Sequence, residues 1–451
     1  GRSATGRNSD VLLPVSWDLQ KWRGKPASLQ IVDRATGDWG HINVDNIKQT
    51  DTPETQPVAV QPLYQETHRP QFHFSARQWT ITKLNPQAKE EGWMNDMNGL
   101  IYYDGEWHFF AQRWWKCWIH AVSKDLVHWE EWPVALFPNA EGQCYSGTTV
   151  MQQQPLPGLN EGVALPAPVM FFAATDPFSQ HIATTPDGGR TWKRYPGNPV
   201  VKNMGDGDRD PKVIWHEASK HYEMVLYVGG PDTYRILRSK DLVHWEQTDS
   251  LPGWFECPEF FPIKSPTTGE DLMLLYGGYH SPQGTPDRID FNSCYQLGRF
   301  DGKKFTPVSK VRKAHQGPSY YAALIFANEA KGRHVMMGWA QGTRFPGEHF
   351  NQCGTAPLLL QMKALGGADA LCFEPVEELN ALREKPLVQL SNVSVAEANS
   401  KLASLKKDAA LDVVLRVRPT ATGSASVTVR SIEFSYDAAT KTLKRNGQAT
   451  A

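Results

Sequence analysis

The sequence predicts an all-β chain: a five-bladed β-propeller followed by a β-sandwich module, with an accessory β segment at the N-terminal end. Three observations carry this reading. A turn motif recurs about every 60 residues, and pairs of strand-like stretches recur in phase with it. The composition is rich in aromatic and turn-forming residues: of 451 residues, 16 are Trp, 14 Tyr, 19 Phe, 36 Gly and 32 Pro. Such a length leads one to expect two or three modules.

The repeat is explicit. The octet SKDLVHWE stands at 123–130 and again at 239–246. TPDGGRTW at 185–192 has the same Ser/Thr-x-Asp turn followed by Trp, and FDGKKF at 300–305 is a looser copy. Their aspartates, Asp125, Asp187, Asp241 and Asp301, lie 62, 54 and 60 residues apart. Short strands and turns at that period are the mark of propeller blades. The second series runs through LIYYDGEWHFF (100–110), 147–174, KVIWHEASKHYEMVLYV (212–228), 260–279 and 321–339. Its alternating, β-branched character reads as strand–turn–strand, which places five blades within residues 75–373.

The flanks differ from the middle. EPVEELNALRE (374–384) is the best helix candidate and is expected to form a helical linker over 374–385. Residues 386–451 read as a β-sandwich from the alternation in LDVVLRVRP and SASVTVRSIEFSYD, with too few strands to close, so an incomplete one is expected. Residues 1–50 hold a hairpin pattern, ASLQIVDRATGDWGHINVDNI, expected to be a fragment of an accessory β-sandwich-like module. Residues 51–74 are Pro- and Thr-rich and read as a linker. The chain does not open on a signal peptide, so a mature form or a fragment is expected.

Charge narrows the function. Lys+Arg number 47 and Asp+Glu 48, without the basic excess that nucleic acid or an anionic membrane demands. No run approaches the roughly 18 apolar residues of a membrane span. Six cysteines show no CxxC pair, which argues against zinc and leaves disulfides open. His216 and His221 lack HExxH spacing and sit in a predicted hairpin, so no metal is expected there either.

The chemistry is expected on the propeller axis. The first strand of each blade lines that axis, so residues at its start converge from distant positions. In blade order these are Trp93-Met94-Asn95-Asp96-Met97-Asn98-Gly99, Tyr145-Ser146-Gly147, Asp208-Arg209-Asp210-Pro211, Phe255-Glu256-Cys257-Pro258-Glu259 and Gly317-Pro318-Ser319-Tyr320-Tyr321. Taken singly, each acid is an ordinary turn former. Turn acids should scatter, yet these share one phase of the repeat. Converging carboxylates suit glycoside hydrolysis: one attacks the anomeric carbon, and a second, its pKa raised by burial and by like charge, protonates the leaving oxygen.

These residues resemble glycoside hydrolase family 32, the invertases, inulinases and levanases. WMNDMNG (93–99) is similar to the family's Trp-Met-Asn-Asp-Pro-Asn-Gly, Arg209-Asp210-Pro211 to its Arg-Asp-Pro, and Glu256-Cys257 to its Glu-Cys. Further echoes are HAVSKDLVHW (120–129), Tyr145-Ser146-Gly147, Gly338-Trp339-Ala340 and PVEEL (375–379). The resemblance spans roughly 70–385 and implies a retaining mechanism that releases fructose from β-fructosides such as levan, inulin or sucrose, exo-acting, with no metal or organic cofactor. It implies Asp96 as nucleophile, Glu256 as general acid/base and Asp210 as a stabiliser of fructosyl hydroxyls. Asn95, Gln112, Tyr145, Ser146 and Arg209 match substrate-binding positions, and Trp115 and Trp339 would wall the pocket. Met97 replaces the usual Pro, Ser319 a common Asp and Leu324 a common Gln; these departures bear on specificity more than on reaction class.

Weaker signals complete the reading. Trp114, Trp115 and Trp118 are expected at the funnel rim as sugar-stacking residues. Cys257 is expected to be an inert neighbour that tunes Glu256. Asn392-Val393-Ser394 is a glycosylation sequon by pattern. Alternatives are a fructosyltransferase using the same acids and an inactive glycan-binding propeller. A sialidase, suggested by the 185–192 motif, lacks a recognisable arginine trio. A polymeric substrate implies a secreted or periplasmic protein.

Overall fold

The computed structural model describes residues 19–26, 28–31, 47, 73–76, 93–154, 166–230, 232–285, 288–315, 317, 319–343, 352–403, 405, 411–429 and 431–450. The chain divides into two compact units, Gly1–Val376 and Glu377–Ala451. Among the described residues the first holds five antiparallel sheets in chain order, four of four strands and one, the fourth, of five. They are β1 Met97–Tyr103, β2 Glu106–Arg113, β3 Cys117–Ser123 and β4 Trp129–Leu136; β5 Cys144–Gln152, β6 Ala167–Thr175, β7 Phe178–Thr184 and β8 Lys193–Arg194; β9 Arg209–His216, β10 His221–Val228, β11 Thr233–Ser239 and β12 Glu246–Pro252. The fourth is β13 Trp254–Lys264, β14 Asp271–His280, β15 Asp290–Phe300 and β16 Phe305–Pro307, with β17 Arg312–Lys313 also pairing β15; the fifth is β18 Tyr320–Ile325, β19 His334–Ala340, β20 Leu358–Leu365 and β21 Ala368–Pro375.

The first strands β1, β5, β9, β13 and β18 touch one another in cyclic order, the last returning to the first. Backbone bonds close the ring: Tyr102 N donates to Ala327 O and Ala327 N to Leu100 O, each at 2.9 Å. This is a five-bladed propeller. Apolar layers fill the spaces between neighbouring blades. In β10, Met224 and Leu226 face the second blade while Val225 and Tyr227 face the fourth. A strand buried on both faces reads as a continuous apolar run, which is why YEMVLYV is apolar at nearly every position.

The repeated aspartates cap the turn between the third and fourth strands. Asp125 Oδ1 accepts from Val127 N at 3.0 Å and His128 N at 2.8 Å. Asp241 Oδ1 repeats this with Val243 N and His244 N at the same distances. Asp187 takes Thr191 N at 2.8 Å, and Asp301 takes Lys304 N at 2.7 Å. A side chain that satisfies turn amides does so in the first four blades, so the sequence repeats where the geometry repeats.

In the second unit, β22 Ser424–Val429, β23 Ile432–Asp437, β24 Thr442–Arg445 and β25 Gln448–Thr450 form one antiparallel sheet of the β-sandwich module. The alternating stretch at 411–419 stands outside any ladder, because alternation makes a strand only where a neighbour supplies hydrogen bonds. The expected helix narrows to a 3-10 helix, Glu377–Leu382. An α-helix not foreseen, α1 Val395–Leu402, begins where Ser394 Oγ accepts from Glu397 N at 3.2 Å, an N-cap legible in Ser-Val-Ala-Glu. At the N-terminal end a 3-10 turn occupies Gln20–Trp22; most of the predicted hairpin at 27–47 and the linker lie outside the described residues. Among the described residues no helix is long and apolar enough to cross a membrane.

Candidate active site

All five innermost strands slip register at the same level. The irregularities fall at 98–101 in β1, 144–147 in β5, 209–212 in β9, 255–259 in β13 and 321–324 in β18. A bulge bends its strand and re-aims the side chains on it. The backbone there enters the left-handed region at Asp210 (φ 59°), Glu256 (φ 45°), Cys257 (φ 46°) and Ala322 (φ 45°), and at Gly99 (φ 49°). Non-glycine residues adopt it at a cost that the surrounding structure must impose.

These turns gather the three predicted acids. A carboxylate oxygen of Asp96, one of Asp210 and the Cys257 sulfur lie within 4.8 Å of one another. Ser146 Oγ donates to Asp96 Oδ2 at 3.0 Å. Behind Asp96 the buried Asn95 and Gln112 side-chain amides meet at 2.5 Å, and Gln112 N donates to Asp96 O at 2.8 Å. Arg209 Nη2 donates to Glu256 Oε1 at 2.5 Å, and the guanidinium lies 4.6 Å over the Tyr227 ring. Tyr321 Oη donates to the other oxygen of Glu256. Tyr145 adjoins Ser146, its ring against Phe178 at 5.2 Å and its hydroxyl in the field of Arg209, Asp96 and Asp210.

Crowded buried acids resist ionisation. Burial, then the charges of Asp210 and Glu256, raise Asp96 to about 7. Burial raises Asp210 to about 6 against the pull of Arg209. For Arg209, burial opposes the charge, but Asp210 and Glu256 outweigh it and the pKa rises. The Tyr321 hydroxyl is driven far up by burial and by the neighbouring Cys257 and Glu256, so it stays a donor. Asp96, Asp210 and Cys257 have the spacing of a three-ligand metal site, but burial and the surrounding carboxylates hold the Cys257 thiol protonated, which makes it a poor ligand. Cys257 is hydrogen-bonded to Asp210: its N–H donates to Asp210 Oδ2 at 2.8 Å and its sulfur lies 3.6 Å from the same oxygen. All six cysteines are free thiols.

An aromatic arc runs away from Glu256. Tyr321 and Trp339 have ring centroids 6.2 Å apart, Trp339 and Trp93 6.2 Å, and Trp93 and Trp115 5.2 Å. Trp115, at the outer end, is 50% exposed. Of the expected rim tryptophans only Trp115 is exposed. Trp118 is wholly buried among the first two blades, its Nε1 donating to Tyr145 O at 2.8 Å, and Trp114 is buried beneath Arg113. Every position of β3 is buried, so Trp118 has no solvent-facing side to offer, and the Trp-rich run hid where that strand begins. Sequence reasoning passed over Trp93, although it begins the first motif, and over Tyr321, whose role depends on a contact across blades.

Comparisons with known proteins identify the family. The model of the glycosyl hydrolases family 32 N-terminal domain matches residues 87–375. A levanase of Bacillus subtilis (strain 168) is 33% identical over 348 residues, covering 71% of this chain and 48% of its own length. A levanase of Bacillus sp. (strain L7) is 29% identical, covering 80% of this chain and 41% of its own; the chain thus spans about half the length of these relatives, or less. The crystal structure of exo-inulinase from Aspergillus awamori superposes with a TM-score of 0.57 at 26% identity, over 69% of this chain and 68% of that one. With the family model matching well over half of the chain, the chain belongs to glycosyl hydrolase family 32.

Proposed function

We propose that the chain is a retaining β-fructosidase that releases terminal fructose from levan, inulin or sucrose. The observation that carries this is the convergence of three acids from three blades, with Asp96 and Asp210 in contact range and Glu256 coupled to both. The levanases and the exo-inulinase among its relatives favour fructans as the substrate class.

In this reading Asp96, steadied by Ser146 and Asn95, attacks C2 of a terminal fructosyl unit and forms a covalent ester. Glu256 gives its proton to the departing oxygen, then takes one from the water that cleaves the ester. The two carboxyl groups of a retaining enzyme are expected roughly 5–5.5 Å apart. Asp96 and Asp210 interact, so the proton they keep near neutrality is shared rather than owned by one residue. Arg209 and Tyr321 each hold one oxygen of Glu256, which fixes the plane through which that proton is passed. Asp210, Arg209 and Gln112 are suited to fructosyl hydroxyls, Trp93 and Trp339 to the apolar face of the ring, and the exposed Trp115 to the next sugar. No step calls on a metal or an organic cofactor. A polymeric substrate and the extracellular exo-inulinase among the relatives support a secreted or periplasmic location.

The test is a panel of levan, inulin and sucrose with wild type and Glu256→Ala, measuring released fructose. Fructose from wild type and a loss of about 10²–10⁴-fold in Glu256→Ala are expected. Binding of fructan without turnover would leave a glycan-binding propeller, and transfer products at high sucrose would leave a fructosyltransferase.

A further inference from the structure

We propose that Tyr234 is a positioning residue for Glu256: its hydroxyl, bonded to the Glu256 carbonyl, fixes the left-handed turn that aims the Glu256 carboxyl into the pocket. This rests on the reading of Glu256 as general acid/base and adds to it a part held in the neighbouring blade. In β13 the residues 256–258 stand opposite the single residue Gly277 of β14, since Phe255 pairs with Gly278 and Glu259 with Tyr276. Glu256 and Cys257 are both left-handed, so two consecutive side-chain-bearing residues occupy a conformation that neither prefers. The peptide group between them is clamped at each end. Its carbonyl accepts from Tyr234 Oη at 2.6 Å, and its N–H donates to Asp210 Oδ2 at 2.8 Å. The same hydroxyl lies 3.2 Å from the Phe255 carbonyl.

Tyr234 comes from β11 of the third blade, is wholly buried, and stacks on Trp254 at 5.7 Å and 25°, so the ring has no freedom to swing away. Gly277 makes room for it. A Cβ there would lie 1.8 Å from the Tyr234 hydroxyl oxygen and 3.2 Å from the Glu256 carbonyl oxygen. The glycine, the phenol and the double left-handed turn are thus one device, assembled from two blades, that settles where the acid points.

A misaimed acid harms substrates in proportion to their need for protonation, which a general loss of packing does not do. The test compares kcat/KM, which covers only the steps up to departure of the leaving group, on sucrose and on 4-nitrophenyl β-fructofuranoside, whose leaving group departs without an acid. Tyr234→Phe is expected to lower the sucrose value at least about 10-fold while the aryl value stays within about 2-fold of wild type. Gly277→Ala, which displaces the hydroxyl without removing it, is expected to give the same selective loss. An equal loss on both substrates, no loss on either, or failure of both variants to fold makes the contact structural and overturns the proposal. Glu256→Ala runs alongside: if it keeps wild-type activity on sucrose, the acid/base reading itself fails, whereas a selective loss there with an unaffected Tyr234→Phe removes only the brace.

Discussion

Replacing Asp96 by Asn keeps the shape of the side chain and removes its charge. Asp96 titrates at 3.8 in the open chain and about 7 in the fold, so the folded protein holds that proton when the unfolded one has lost it. The sign follows from the raised value. Proton binding at Asp96 stabilises the fold fully below pH 3.8, and this contribution is lost as pH rises through about 7. At 1.36 kcal/mol per pH unit the loss is about 4 kcal/mol, an upper bound because Asp96 keeps some contact with solvent and shares its titration with Asp210. Asn carries no charge at any pH and can still pair with Ser146. Asp96→Asn is therefore expected to match wild type below pH 4 and to exceed it in stability by up to about 4 kcal/mol at pH 8, while fructose release drops at least about 10³-fold. Urea unfolding at the two pH values, followed by tryptophan fluorescence, measures the first part, and fructose release the second. A variant no more stable than wild type at pH 8, or one gaining equally at both, would show that Asp96 is not a desolvated charge within an acid cluster. An active variant would remove it as the nucleophile.

Four further outcomes are expected. Because Asp96 must be ionised to attack, kcat/KM should fall as pH drops below about 7 and through 6, where Asp96 and Asp210 take up protons; an acidic limb near pH 4 would contradict the desolvation of these two acids. Tyr321→Phe removes one of the two donors to Glu256 and should cost about 1–3 kcal/mol of transition-state stabilisation, read as a fall in kcat with KM little changed. Trp115→Ala, at an exposed site, should leave stability within about 0.5 kcal/mol but raise KM for fructan several-fold more than KM for sucrose; an equal rise would place Trp115 against the fructosyl unit itself. Gly147→Ala would set a Cβ 1.9 Å from the Phe171 carbonyl oxygen, and the backbone shift should cost about 3 kcal/mol, seen in the unfolding midpoint.

What was readable in the chain was whatever a blade must restate. Asp125, Asp187, Asp241 and Asp301 each bond the amides of their own turn, so the signal is local and recurs at the blade period. The phase of Asp96, Asp210 and Glu256 within that period was legible for the same reason, since every first strand runs along one axis. The N-cap of the 395–402 helix was equally local, though short enough to pass unnoticed. Trp118 went wrong because a run of aromatics does not say where the strand begins.

The rest belongs to the assembled ring. Tyr321 reaches Glu256 across 65 positions of chain, Cys257 reaches Asp210 across 47, and the carbonyl of Glu256 finds Tyr234 across 22. No spacing announces such contacts, because each partner is chosen by neighbouring blades and by a bulge that turns a strand. Sequence alone determined the all-β repeat and which acids share its axis, since local turn chemistry and strand phase are written residue by residue. Only the tertiary structure decided which of those acids are desolvated, which side each faces and what braces them, since burial and charge coupling exist only once the blades close on one another.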